Sequence, residues 1–142
     1  MTLVLDASMS LAWLLKRKDP DEADLAGKCL DRVRATGAMV PALWYPEVTN
    51  SLLLAERQRV IRIDETSEFL LGMSLWEITQ DPIPPAESQL QTMYLSRAFK
   101  LTAYDATYLE LAMRRSAVLA TFDRKLAEAA RAAGVRVFGD AV

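Results

Sequence analysis

The stretch from Leu101 to Ala130, LTAYDATYLELAMRRSAVLATFDRKLAEAA, admits few folds. Tyr104, Tyr108, Leu111 and Ala112 recur at helical spacing between Ala103 and Arg115. Ser116 to Thr121 is a short apolar run of the kind that fills a parallel sheet covered on both faces. Phe122-Asp123 turns the chain, and a helical pattern resumes from Lys125 to Ala133 until Gly134 ends it. Helix, buried strand, turn and helix in that order imply an α/β sheet. Asp105 falls in the first turn of one helix, and Asp123 falls just past a central strand. In open α/β sheets the ligand crevice lies outside the carboxyl ends of the strands.

The rest of the chain repeats the alternation. Thr2 to Asp6 reads as the first central strand, and Ser8 to Leu15 as a helix with Leu11, Leu14 and Leu15 on its apolar face. Asp19-Pro20-Asp21 reads as a turn before a helix from Glu22 to Arg34, which packs Leu25, Cys29, Leu30 and Val33 inward and is capped by Gly37. Ala38 to Pro41 is a second short strand. Pro46 stands near the start of a helix to about Arg59, where its missing N–H is harmless. A helix from Ile63 to about Leu75, an edge strand over Trp76 to Thr79 and a loop from Asp81 to Pro85 come next. A helix over Ala86 to Phe99 leads into the stretch above, and Val135 to Phe138 closes the chain as a last strand. The expected fold is a three-layer α/β/α sandwich with a short, mostly parallel central sheet, in one domain over residues 1–142.

What the chain lacks narrows its chemistry. It has no His, so no imidazole base, Ser–His–Asp triad or His-ligated zinc is available. The single Cys29 permits no internal disulfide or thiolate cluster and fits a reducing cytoplasm. No apolar run approaches the roughly 20 residues of a membrane span, and the start, MTLVLDASMS, reads as a strand rather than a leader. The net charge is −2, so a polyanion would need a local basic patch or bound cations. What remains reactive is carboxylates, hydroxyls and Lys/Arg, and oxygen ligands of that kind suit Mg²⁺ or Mn²⁺.

Four acids come from separate pieces of chain: Asp6 after the first strand, Glu47 and Asp105 in first helical turns, and Asp123 after the strand Ala117 to Thr121. A parallel sheet brings all four to one edge. Each also has a plainer reading, because acids near helix N-termini cap free N–H groups and meet the positive end of the dipole. Ser8 and Thr121 lie two residues from Asp6 and Asp123, placed to orient a carboxylate; as alternatives, Ser8 is an N-cap and Thr121 an ordinary strand residue. Asn50 shares a helix face with Glu47, either at the site or as a solvated polar position. Among the basic residues, Lys16, Arg17 and Arg124 are placed for phosphate contacts, and the remainder, Arg114-Arg115 included, read as solvated faces.

These motifs resemble a known family. VLDAS, PEVTNSLL, YDATYLELA and LATFDRKLAEAA together are similar to the PIN-domain ribonucleases, and most of all to the VapC toxins of bacterial and archaeal toxin–antitoxin pairs. The resemblance implies an α/β/α sandwich and a catalytic set of Asp6, Glu47, Asp105 and Asp123, with Asp6, Asp105 and Asp123 on the metal. It implies cleavage of RNA with Mg²⁺ or Mn²⁺, a homodimer, and silencing by a small cognate antitoxin. Two other readings stand beside it. A haloacid-dehalogenase-like phosphohydrolase also begins from an acid after strand one, but wants a second acid where this chain has Ser8. A non-catalytic interaction module would use the acids only to hold a structural metal or a basic peptide.

Overall fold

The computed structural model describes residues 1–141. Four three-residue strands form one sheet: β1 (Leu3–Leu5), β2 (Ala38–Val40), β3 (Ile78–Gln80) and β4 (Val118–Ala120). They lie in the order β3-β2-β1-β4, and every pairing is parallel. All residues of β1 and β4 are buried, which explains why their sequences are unbroken apolar runs rather than alternating ones. Seven helices flank the sheet among the described residues: α1 (Ala7–Leu11), α2 (Pro20–Thr36), α3 (Trp44–Arg57), α4 (Ile63–Met73), α5 (Pro85–Phe99), α6 (Ala103–Arg114) and α7 (Arg124–Ala132). The result is the three-layer α/β/α sandwich that the alternation implied. None of the described helices is long and apolar enough to cross a membrane.

Strand order places the functional end of the sheet. The chain winds outward from β1 to β2 to β3, then crosses back to lay β4 on the other side of β1. The winding direction therefore reverses between β1 and β4. At such a reversal the two connections leave in opposite directions and open a crevice beyond the strand ends. Leu5 pairs with Ala120 at this end, so the residues that follow, Asp6 and Thr121, sit side by side over the crevice.

The structure shifts several local readings. The helix expected over Ser8 to Leu15 is the shorter α1, continued by turns in which the N–H groups of Leu14 and Leu15 bond Leu11 carbonyl oxygen. Asp19-Pro20 is a helix start and not a separate turn: the Asp19 carboxylate accepts the Asp21 N–H at 2.9 Å, with Pro20 at the first helical position. Gly37 ends α2 at φ +78°, and a Cβ there would stand 2.4 Å from Glu77 carbonyl oxygen, so both the turn and the approach require glycine. The closing strand reduces to a single bridge between Val137 and Leu119. Asp140 N–H turns back onto Val137 carbonyl oxygen at 3.0 Å and ends the pairing there.

Two side chains also depart from the expected pattern. Tyr104 is 62% exposed, and the core face of α6 is made by Ala106, Tyr108, Leu109, Leu111 and Ala112. Arg114 is not a solvated residue. It bonds both carboxylate oxygens of buried Glu110 at 2.8 Å and both of Asp81, at 3.0 and 2.6 Å. Burial pushes Asp81 up, but Arg114 and the Ile83 N–H more than offset this and hold its carboxyl below the usual range. This ion triad clamps α6 to the segment after β3.

Candidate active site

The site is built outward from Asp6. Its backbone continues β1, with Asp6 N–H on Ala120 carbonyl oxygen at 3.0 Å, and its side chain is 6% exposed. Ser8 Oγ donates to Asp6 Oδ2 at 2.7 Å, and Thr121 Oγ1 donates to the same oxygen at 2.6 Å. Ser8 Oγ accepts the Phe122 N–H and Thr121 Oγ1 accepts the Asp123 N–H, each at 2.9 Å. The pair of hydroxyls thus fixes Asp6 and shapes the turn after β4 at once. Ser8 lies inside α1 and does not act as its N-cap.

This clamp occupies one carboxylate oxygen and spares the other. Neither hydroxyl bonds Asp6 Oδ1, and none of the buried side-chain oxygens or nitrogens of the described residues lacks a partner. Burial raises the Asp6 carboxyl above its ordinary range, opposed by the two hydroxyls and the Ala7 N–H, with a further upward push from Asp123.

The other three acids arrive from three more elements. Asp123 caps α7, its Oδ1 accepting Leu126 N–H at 2.9 Å, so the plainer reading holds for this residue and one oxygen is left over. Asp105 does not cap α6. Thr102 does so, its Oγ1 accepting the Asp105 N–H at 3.2 Å, and the Asp105 carboxylate is left without a hydrogen bond among the described residues. Glu47, in the first turn of α3, accepts a hydrogen bond from the Tyr108 hydroxyl.

The four acids lie near enough for their charges to act on one another. Desolvation, then the charges of Asp123, Asp6 and Glu47, push Asp105 up to about 6, with Lys125 opposing. Glu47 is raised by burial and by Asp6, against the Tyr108 hydrogen bond. Still, no three of the described acids are drawn into a finished chelate. Like charges at about 4 Å repel by roughly 4 kcal/mol at an effective dielectric near 20, so bare carboxylates stand apart.

The donor set fits a hard divalent cation. It offers unbonded carboxylate oxygens from Asp6, Asp105 and Asp123, with no nitrogen or sulfur ligand among them. A cation is also what would relieve the mutual repulsion.

The remaining expected residues divide. Arg17 stands at the site's rim, its guanidinium 4.5 Å from the Phe122 ring centroid and 3.4 Å from Glu22. Lys16, Arg124 and Asn50 are exposed, and no hydrogen bond or ion pair ties their side chains to the acids. Four contributors were missed from the sequence. Lys125 is the cation whose charge reaches Asp105. Ser10 and Trp44 form a buried brace, Trp44 Nε1 donating to Ser10 Oγ at 2.8 Å and Ser10 Oγ to Asp6 carbonyl oxygen at 3.1 Å. Tyr108 read only as a core residue; that its helix also carries Asp105 was the available clue.

Comparison with known proteins agrees with the fold. The sequence profile of the family described as PIN domain matches residues 3–132. Among solved structures, PAE2754 from Pyrobaculum aerophilum superposes with a TM-score of 0.62 at 25% identity, over 91% of this chain and 84% of that one. FitAcB from Neisseria gonorrhoeae superposes with a TM-score of 0.63 at 20% identity, over 97% of each chain. No curated protein matches the sequence.

Proposed function

The chain belongs to the PIN-domain family, and from that premise we propose that it is a divalent-metal-dependent endoribonuclease, the toxin of a toxin–antitoxin pair. The observation that carries this reading is the meeting of Asp6, Glu47, Asp105 and Asp123, from four elements, at the crevice where the sheet reverses its winding. We assign those four as the catalytic set, with Asp6, Asp105 and Asp123 holding Mg²⁺ or Mn²⁺. A bound cation would supply charge neutralisation at the phosphate and acidify the attacking water.

The protein's own groups do the rest. Ser8 and Thr121 hold Asp6 through Oδ2 and leave Oδ1 free of both hydroxyls. Glu47, which is outside the three acids assigned to the cation, has a carboxyl raised by burial and stands as the candidate to take a proton from water. Lys125 and Arg17 border the acids and suit the flanking phosphates of a single strand. With no His, the metal-free route through a 2′,3′-cyclic phosphate lacks its usual acid and base. Water attack leaves a 5′-phosphate and a 3′-hydroxyl.

The partner assignments rest on surface chemistry. Leu53, Leu54, Val60, Ile63, Leu70, Leu71 and Leu75 are exposed along α3, α4 and the turns that follow them, and exposed apolar side chains grouped on neighbouring elements are a feature of protein contact surfaces. It suits a small antitoxin or the second subunit of a homodimer. We place the whole activity in one cytoplasmic domain. The test is incubation of purified, antitoxin-free protein with mixed RNA, with and without Mn²⁺. Cleavage that needs Mn²⁺, yields 5′-phosphate ends and is lost in Asp6→Asn supports the proposal. Cyclic phosphate ends that persist in EDTA overturn it.

A further inference from the structure

Tyr108 is fully buried, yet it carries a hydroxyl. Its neighbours Leu109, Leu111 and Ala112 satisfy the same core with hydrocarbon alone. A phenylalanine would fill that space equally well and leave no polar atom to satisfy. The hydroxyl donates to Glu47 Oε1, across 61 residues of sequence and between α6 and α3, and the Ala7 N–H stands near enough to act on it as well.

Glu47 needs such a contact. It stands half-buried in the first turn of α3, beside exposed Tyr45 and Pro46 and one turn before exposed Asn50. No other described residue hydrogen-bonds its carboxylate. A free glutamate samples many rotamers, and ordering one costs about 1.5–2 kcal/mol. Asp6 is held by two hydroxyls and Asp123 by its cap, and both are short side chains leaving the sheet edge. Glu47 reaches the crevice on a long, flexible stem, and only the phenol fixes it.

We infer that Tyr108 is a positioning residue: its hydroxyl holds the Glu47 carboxylate in the orientation the crevice uses. The same bond couples the helix bearing Glu47 to the helix bearing Asp105, so it sets the spacing of the two acids that do not leave from strands. The bond is a feature of the fold, and its role in cleavage rests on the nuclease reading.

The test compares Tyr108→Phe, Glu47→Gln and the double variant. The expected result is a Tyr108→Phe protein that folds, keeps its KM for RNA and loses about tenfold or more in kcat, the scale of one hydrogen bond to a charged group. In the Glu47→Gln background the same change adds no further loss. A second readout needs no activity. With ¹³C-labelled glutamate carboxyls, the resonance missing from Glu47→Gln moves in Tyr108→Phe. Should Tyr108→Phe fold poorly, the bond is read from its other end, as a shift of the Tyr108 ring Cζ resonance in Glu47→Ala. Multiplicative losses, a change in KM alone, or unmoved resonances overturn the inference. Moved resonances in a parent that cleaves no RNA uphold the hydrogen bond and overturn the nuclease reading.

Discussion

Thr121 Oγ1 and Asp6 Oδ2 stand 2.6 Å apart although 115 residues separate them in the chain. The contact exists because β1 and β4 are parallel neighbours in register, so their carboxyl ends deliver consecutive side chains to one place. It also makes one hydroxyl serve two acids, since Thr121 Oγ1 accepts the Asp123 N–H.

Thr121→Val keeps the shape and removes both bonds. Asp6 loses a donor in a buried setting, and Asp123 N–H loses its acceptor. A hydrogen bond to a charged group is worth about 1.5–3 kcal/mol, and urea unfolding should show a loss on that order. Thr121→Ser should recover most of it. A Thr121→Val protein as stable as the parent would show that the hydroxyl does not hold Asp6.

Asp105 makes metal-free stability depend on pH in a stated direction. Its carboxyl is raised from 3.8 to about 6 in the folded protein. A raised acid binds its proton more tightly when folded, so its stabilising contribution is complete below about pH 4 and is lost as pH rises through 6. Asp105 is partly exposed, and solvent screening reduces the effect to roughly 1 kcal/mol. Unfolding in EDTA at acid and neutral pH should therefore show Asp105→Asn gaining on the parent as pH rises. A constant difference between the two would contradict the electrostatic description.

Divalent cations should reverse that strain. Binding to the folded state alone raises stability by about 2.7 kcal/mol at a free concentration one hundred times Kd. Mn²⁺ added at neutral pH should raise the Tm of the parent and leave Asp6→Asn unmoved. The gain should shrink toward pH 5 as Asp105 takes up its proton. Equal Tm shifts in both proteins would place the cation elsewhere.

Arg114 offers a contrast outside the crevice. Its removal leaves Glu110 buried without its partner, while Asp81 keeps Arg115 at 3.9 Å and the Ile83 N–H at 3.2 Å. Breaking a buried pair from one side costs about 3–5 kcal/mol, and Arg114→Met should approach that in urea unfolding. The double change Glu110→Gln with Arg114→Met should lose less. On the proposed function, RNA cleavage per folded molecule should be unaffected, which would separate this charged cluster from the four acids of the crevice.

The layers of the fold were legible because each rests on local physics. Unbroken apolar triplets mark doubly covered strands, the helical spacing of Tyr108, Leu111 and Ala112 marks α6 although Tyr104, read with them, faces solvent, and Gly37 marks a turn that only glycine accepts. The closing strand was misread because its apolar letters say nothing of how many neighbours it finds; Asp140 folds back and leaves one bridge. Arg114 read as solvated because charge alone does not reveal that Asp81, 33 residues away, completes a triad.

The four acids divide along the same line. The sequence by itself determined that Asp6 and Asp123 follow buried strands and that oxygen ligands dominate the reactive groups, since both follow from neighbouring residues and composition. Only the tertiary structure decided that Thr102 and not Asp105 caps α6, that Asp123 does cap α7, and that Tyr108 reaches Glu47. Hydrogen bonds of a few ångströms between distant residues depend on strand register and helix packing. Those are set by the whole core at once and by no stretch of chain alone.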